Sequence, residues 1–419
     1  MPCPYSEGFM FKNIKRNKYF CGLDLGSQTI KTALVRAQDD NNLELLGVFE
    51  SPSIGLKGAC VSDLTELSQT ILRSMEGVCR RVAIRPSGVH LGISTDLLSC
   101  RYSGAVIPLV DAGTKIVAPS DIRKVNHQAR LLGVGIDEEI VHSFEQFYKV
   151  DDVNVALNPQ GLYGHKLESN LLLLTANSGR LRNMTKAVHQ AGFDVHRVSL
   201  SSYAASQVAL SESFKKEGCA LIDIGASMTN VLCFKNGVLG DIQLIHWGGH
   251  FVTQSIADRL SLTIDLAEEI KKTHAVAAKL SAQESSGDIL VKREKGYVPI
   301  RRQSVCEAVE WEIENLLTHL ETVLKGSALY HQLNKGAIIV GGTALLPGLI
   351  ERIEERINLS VSLGIATKGL QNPSIFAAAI GLAQMNYTQK KNETINLHTT
   401  KNWVQKFLVR FEEMCQEYF

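Results

Sequence analysis

Two short segments far apart in the chain follow one pattern, and that repeat constrains the fold more than any other feature. "LDLGSQTIKTALV" begins at Leu23 and "IDIGASMTNVLCF" at Ile222, and both carry apolar-Asp-apolar-Gly at the same offsets. Each reads as an apolar strand, a tight turn of glycine and hydroxyl residues, and a second apolar strand. A third strand follows in each case, "LELLGVFES" after "QDDNN" and "GDIQLI" after "KNG". A repeat at this separation implies two similar domains facing each other. Near the end, "KGAIIVGGTALLPGLIERIEERI" reads as a buried strand, a Gly-Gly turn and a helix.

The turns carry chemistry. A hairpin tip of glycine and hydroxyl residues exposes backbone N–H groups that form an anion-binding nest. Gly26, Ser27, Gln28 and Thr29 supply one nest, and Gly225, Ala226 and Ser227 the other. Two nests from opposite sides clamp a polyphosphate. Asp24 and Asp223 precede the turns, where a carboxylate repels phosphate unless a hydrated Mg²⁺ lies between them. Lys31, on the returning strand, is placed to neutralise phosphate charge. Neither turn is a Walker A loop, since no G-x₄-G-K-[ST] occurs.

Bulk properties narrow the class. The 419 residues suffice for two to four core-bearing units. With 44 basic and 43 acidic residues, the chain has no basic surplus for nucleic acid. No apolar run reaches the roughly 18 residues of a spanning helix, and no signal-peptide core opens the chain. Nine cysteines without a C-x₂-C pair argue against a metal site or disulfide framework and point to reduced thiols in the cytosol.

The ending, "NWVQKFLVRFEEMCQEYF", is amphipathic at helical period. Trp403, Val404, Phe407, Leu408, Phe411, Met414 and Phe419 fall on one face, opposite Lys406, Arg410, Glu412, Glu413 and Glu417. That face fits the protein's own core, a partner helix or a membrane surface. The polar tract "NYTQKKNETINLHTTK" before it reads as a flexible linker, which favours an external target.

The paired hairpins and the Gly-Gly turn resemble the superfamily of actin, sugar kinases and heat-shock chaperones. The stretch between the hairpins narrows this. "EEIVHSFEQFYKVDDVNVALNPQGLYGHKLESNLLLLTA" resembles the signature of the bacterial cell-division FtsA family. Its His–x₃–Gln–x–[FY]–x–[VL]–Asp run is met by His142, Gln146, Tyr148, Val150 and Asp151. The Asn-Pro-x-Gly block follows as Asn158, Pro159 and Gly161, then Gly164, Lys166, Leu167 and Glu168. "WGGHFVTQSIADRLSLTIDLAEEIKKTHA" and "NPSIFAAAIGLA" are similar to further family segments.

The resemblance implies an α/β fold of two actin/ribonuclease-H-like domains facing a nucleotide cleft, with an inserted small α+β subdomain and a C-terminal amphipathic helix. The expected divisions are a leader at 1–17, a first domain at 18–83, 167–200 and 366–385, and the insertion at 84–166. A second domain follows at 201–365 with an upper subdomain near 250–315, then a linker at 386–400 and a membrane-targeting helix at 401–419. The cofactors implied are ATP and Mg²⁺. Asp24, Gly26, Ser27, Gln28, Thr29 and Lys31 face the phosphates from one side, and Gly225, Ser227, Met228 and Thr229 from the other, with Asp24 and Asp223 holding the metal through water. Glu268 and Lys271 match positions that contact ribose and base, and Gly341, Gly342, Thr343 and Leu345 the turn against adenine. Thr343 stands where many actin-like chains have glycine, and its Cβ is expected to crowd the adenine or to deny the turn a positive φ. Ser201 stands at a position where Glu or Gln commonly orients attacking water. A serine hydroxyl is a poor base, so the resemblance implies a slow ATPase or none.

The implied function is an ATP-binding, self-assembling protein that tethers the FtsZ division ring to the cytoplasmic face of the membrane at midcell and helps assemble the divisome. Arg301 and Arg302 match the region that receives the FtsZ C-terminal peptide, and the terminal helix the lipid anchor. Later division proteins are the remaining partners, and no nucleic acid is. The alternative is a PilM-like adaptor of a pilus or secretion system. A sugar or acetate kinase of the same superfold has no use for the terminal helix or the Asn-Pro-x-Gly block.

Overall fold

Each Asp-x-Gly segment ends the central strand of a five-stranded sheet, and the two sheets share one topology. The computed structural model describes residues 18–399 apart from 39–41, 59, 111–112, 279–286, 294–295 and 368. In the first sheet Tyr19–Leu25, Thr29–Ala37 and Leu43–Pro52 form an antiparallel meander. Gly88–Ile93 lies parallel on the other side of Tyr19–Leu25, and Asp194–Leu200 parallel beyond it. The second sheet repeats this with the meander Cys219–Ile224, Thr229–Lys235 and Val238–Ile245. Its parallel strands are Ala337–Val340 and Val361–Leu363. The duplication thus extends from two motifs to two whole sheets.

Strand alternation decides what each face meets. Cys21, Leu23 and Leu25 pack under helices Leu64–Val82 and Ser178–Gln190, against Leu67, Ile71, Leu181 and Met184. The opposite face, which carries Phe20, Gly22 and Asp24, turns to the closing helix Ala377–Thr399. In the second sheet Ala220, Ile222 and Ile224 pack under helices Gly249–Leu260, Arg302–Gly326 and Leu349–Ile357. Cys219 and Leu221 face Leu200, Ala205, Ala377 and Ala378. Two helices, Ser201–Ala209 and Ala377–Thr399, therefore fill the space between the sheets, and period two puts Asp24 and Asp223 on the inner faces. The helices cross where a Cβ on Gly381 would lie 1.9 Å from the Ala204 carbonyl oxygen, so only glycine fits.

The insertion is a four-stranded antiparallel sheet in the order Asn154–Ala156, Glu138–Val150, Lys166–Asn177, Leu98–Pro108. Helix Pro119–Gly133 covers one face through Val125 and Ala129. Its bounds differ from the expected 84–166. Gly88–Ile93 belongs to the first sheet, and Lys166–Asn177 is a central strand of the insertion. The reason is the run "LLLL": Leu171 and Leu173 enter the insertion's core while Leu172 and Leu174 enter the core beneath the second sheet. A strand buried on both faces reads as an element of a central sheet.

The tract 386–400 also departs from expectation, since the closing helix continues through it to Thr399. No glycine or proline follows Gly381 in the chain, so nothing in the sequence breaks that helix. The leader 1–17 and the amphipathic segment 401–419, with Trp403, Val404, Phe407, Leu408, Phe411, Met414 and Phe419, lie outside the described residues. Among the described residues no helix is long and apolar enough to cross a membrane.

Candidate functional site

The two hairpin tips meet over a cavity of about 660 Å³ between the sheets. Both tips are tight turns. A Cβ on Gly26 would lie 2.5 Å from the Thr29 carbonyl oxygen, and the Gly225 N–H donates to the Met228 carbonyl at 2.9 Å. The Ser227 hydroxyl donates to the Ser27 hydroxyl at 2.9 Å, so the two tips touch through serines one position out of register in the repeat. Asp24, Asp223 and Lys31 line the cavity beneath the tips. Burial and the neighbouring Asp24 push the Asp223 carboxyl up to about 6, against the pull of Lys31. Ser201 donates a 2.6 Å hydrogen bond to Asp24 Oδ1.

The opposite wall comes from the second domain. Spacing alone makes Glu268 and Lys271 a solvated helical pair, yet their side chains are only 15% and 13% exposed, at 2.6 Å from one another. Lys271 also donates to the Gly249 carbonyl and to Thr253 Oγ1, at 2.9 and 2.8 Å. Burial raises the Glu268 carboxyl, but Lys271, Thr253 and Gln28 together outweigh it and hold the group below its ordinary value. Burial depresses the Lys271 ammonium despite Glu268.

The Gly-Gly turn uses its glycines differently. Gly341 has φ +97°, and a Cβ there would lie 2.3 Å from the Ile224 carbonyl oxygen. Gly342 has an ordinary φ of −70°, and a Cβ on it would meet nothing within 4 Å. It lines the cavity, so a side chain there would occupy the cavity itself. Thr343 needs no positive φ. It opens the 3₁₀ turn Thr343–Leu345 and donates its hydroxyl to the Gly225 carbonyl at 2.9 Å. The hydroxyl therefore ties this turn to the second hairpin, and the positive φ is carried by Gly341 instead.

The structure brings together Asp24, Gly26, Ser27, Gln28, Thr29, Lys31, Ser201, Asp223, Gly225, Ser227, Met228, Glu268, Lys271, Gly341, Gly342, Thr343 and Leu345 around this one cavity. Thr229 is the exception. It is fully buried and donates to the Trp247 carbonyl at 2.9 Å, while its neighbour Asn230 lines the cavity. Strand alternation turns one of the two away. Sequence reasoning missed Ser202 and Ser374, which also line the cavity and whose hydroxyls are buried without a hydrogen-bond partner among the described residues. Arg301 and Arg302 lie elsewhere. Arg301 is exposed at the end of strand Gly296–Arg301, whereas Arg302 begins the long helix with its Nε buried. The two guanidiniums do not form one exposed pair.

Comparison with known proteins resolves the family. A family model described as "Cell division protein FtsA" matches residues 220–381, and one described as "SHS2 domain inserted in FTSA" matches residues 98–175. This chain belongs to the FtsA family. It is 28% identical over 395 residues to Cell division protein FtsA of Pseudomonas aeruginosa, covering 92% of this chain and 93% of that one. The SHS2 match falls within the inserted sheet, from Leu98 to Thr175. Solved structures share the actin-like fold. The PilM-PilN type IV pilus biogenesis complex superposes with a TM-score of 0.64 at 16% identity, over 88% of this chain and 98% of that one. MreB5 of Spiroplasma citri bound to ADP gives 0.56 at 12% identity, over 91% and 99%. The PilM likeness is one of fold, whereas both family models are those of FtsA. The chain is thus an FtsA-family cell-division protein with an actin-like fold and an SHS2 insertion.

Proposed function

We propose that this FtsA-family protein is an ATP-dependent, self-assembling tether that holds the FtsZ ring on the cytoplasmic face of the membrane at midcell and recruits later division proteins. The observation that carries the reading is the meeting of the duplicated hairpins at Ser27 and Ser227, above two carboxylates. A cavity of about 660 Å³ suits a nucleotide. Its polar groups fit one as well. The buried Ser202 and Ser374 hydroxyls lack partners among the described residues, and Gly342 leaves open space where any side chain would intrude. Gly26, Ser27, Gln28, Thr29 and Lys31, with Gly225, Ser227 and Met228, hold the phosphates in this reading. Glu268 and Lys271 hold the ribose and base, and the turn Gly341–Leu345 backs the adenine.

Asp24 and Asp223 fit a hydrated Mg²⁺, because both carboxylates line the cavity below the tips, and burial together with Asp24 disfavours the Asp223 charge that a divalent cation would stabilise. The ion would supply charge neutralisation between carboxylates and phosphates. Ser201 reaches Asp24 but offers no base, so ATP acts mainly as a switch for assembly. The FtsZ C-terminal peptide is assigned to the upper subdomain, where Leu290, Tyr297 and Trp311 are exposed apolar groups and Arg301 an exposed cation. Arg302, with a buried Nε, contributes less.

The anchor in this reading is the terminal helix, through Trp403, Val404, Phe407, Leu408, Phe411, Met414 and Phe419. Partial burial of six or so such side chains gives about 5–10 kcal/mol before ordering costs. One anchor binds reversibly, and assembly of many copies multiplies it by about 10²–10⁴. Liposome flotation of the full chain and of a chain ending at Thr400, each with and without ATP and Mg²⁺, tests this. The full chain should float alone, and more of it with nucleotide. Equal flotation of both chains, or of neither, would contradict the tether.

A further inference from the structure

One strand of the insertion grips both domains. On Glu138–Val150, the His142 imidazole accepts a 3.0 Å hydrogen bond from the Leu200 N–H through Nε2. Four residues on, Gln146 donates a 2.9 Å bond to the Leu239 carbonyl. Leu200 ends the last strand of the first sheet and caps helix Ser201–Ala209, whereas Leu239 lies on the outer strand of the second sheet. The adjoining Gly240 carbonyl accepts a 2.8 Å bond from the Tyr102 hydroxyl, also of the insertion.

Three further features define this grip. Pairing with Lys166–Asn177 skips Gln146, since Asn170 faces Phe147 and Leu171 faces Glu145. A bulge of this kind re-aims a side chain, and here the residue it singles out is the one that bonds Leu239. His142 stacks on Phe144, and both rings meet the edge of Tyr203 on the central helix. Beside the Gln146 contact lies a second cavity of about 390 Å³, between Glu145 of the insertion and Gln207, Glu212 and Lys215. Gln146 and Tyr102 thus add two hydrogen bonds to the apolar contact that Leu172 and Leu174 make with the second domain, next to open space. The other end of the path leads into the cleft, because Ser201 follows Leu200 and donates to Asp24.

We propose that this strand makes the insertion a reporter of the state of the cleft, with His142, Gln146 and Tyr102 as positioning residues. The inference rests on the nucleotide reading above. A ligand that clamps the two hairpins fixes the rotation of one sheet against the other. An element bonded to both sheets cannot keep both sets of contacts through that rotation, so cleft closure and insertion docking are one equilibrium. In the arrangement described, the tips touch at Ser27 and Ser227 while the insertion is docked. Docking therefore favours the closed cleft, and by linkage its loss weakens nucleotide binding although neither Gln146 nor Tyr102 lines the cavity.

The test is hydrogen–deuterium exchange of the full chain with and without Mg²⁺-ATP, together with ATP affinity, in the native protein, Gln146→Ala and Tyr102→Phe. In the native protein, ATP should slow exchange both at the hairpins, 24–31 and 223–229, and in 138–150 and 238–245. Gln146→Ala should weaken ATP about 5-fold or more and, at saturating ATP, keep hairpin protection while losing that of the insertion. Tyr102→Phe, which keeps the ring, should shift both readouts in the same direction by less. Native-like affinity and native-like insertion protection in both variants would overturn the coupling. Native hairpins protected without the insertion would overturn it too, leaving the nucleotide reading intact. Hairpins unprotected in the native protein would overturn the nucleotide reading, and the coupling with it.

Discussion

Ser201 Oγ donates to Asp24 Oδ1 at 2.6 Å, and this contact bridges the central helix and the first hairpin at the floor of the cleft. The hydroxyl proton is engaged with a carboxylate, and a hydroxyl is itself a poor base for activating water. Native turnover should therefore be low. Ser201→Gln, which adds a carboxamide able to orient water, should raise Mg²⁺-dependent phosphate release by about 10-fold or more. Ser201→Ala should leave it near the native level. A robust native ATPase that Ser201→Ala abolishes would reverse this assignment.

Asp223 is held in a state that the fold alone does not favour. Its carboxyl is pushed up to about 6 by burial and Asp24. A carboxyl raised above its unfolded value contributes stability at low pH that is lost as pH rises through about 6. Near pH 7.5, Asp223→Asn should stabilise the nucleotide-free protein by about 1–3 kcal/mol. The same substitution should remove most of the extra stabilisation that Mg²⁺ adds to ATP. Thermal melts with ATP, with and without Mg²⁺, measure both effects.

Gly22 is a packing requirement with no place in the cleft. A Cβ on it would lie 2.0 Å from the Ala379 carbonyl oxygen and 2.7 Å from the Ala383 nitrogen. The closing helix cannot yield without losing its contact with Ala204 through Gly381. Gly22→Ala should cost about 3 kcal/mol or more, whereas Gly342→Ala should leave folding unchanged. Urea unfolding of the two variants separates them.

Two buried histidines add to the acid sensitivity of the fold. Burial and His90 depress His142 to about 3, while burial, Arg197 and His196 depress His90 to about 4. Both are neutral in the fold, and the His142 lone pair is in use with the Leu200 N–H. Their contribution is full above the unfolded value of about 6.5 and is lost as pH falls through about 4 and then about 3. His142→Gln, which keeps an acceptor and does not titrate, should flatten the stability profile below pH 6.5. An unchanged slope would contradict this role for His142.

The residues legible in the sequence were those whose chemistry is local. A nest needs glycine and hydroxyls within one turn, so Gly26 to Thr29 and Gly225 to Ser227 announced themselves. Residues that reach the cleft through tertiary crossing did not. Ser202 lies in the first turn of helix Ser201–Ala209 and Ser374 in the short turn Pro373–Phe376, and the two reach one cavity from segments far apart in the chain. Thr229 differs for another reason, since the family resemblance put it beside the phosphates while strand alternation buries it against Trp247. The edges of the insertion were hidden because Leu171 to Leu174 serve two cores at once. Spacing paired Glu268 with Lys271, but their burial comes from Gly249 and Thr253 across the wall, which spacing does not encode.

The most direct test of the cleft is calorimetric titration of ATP and Mg²⁺ into the full chain and into Gly342→Val. The Gly342 backbone accepts any residue, and a Cβ there meets no protein atom within 4 Å, so the variant should melt with the native protein. Its added side chain projects into the cavity. The account predicts one ATP per native chain, Mg²⁺-dependent affinity, and a loss of about 10-fold or more in Gly342→Val. Absence of binding to the native chain, or equal binding to a well-folded Gly342→Val, would contradict the assignment of the space between the two hairpins to a nucleotide.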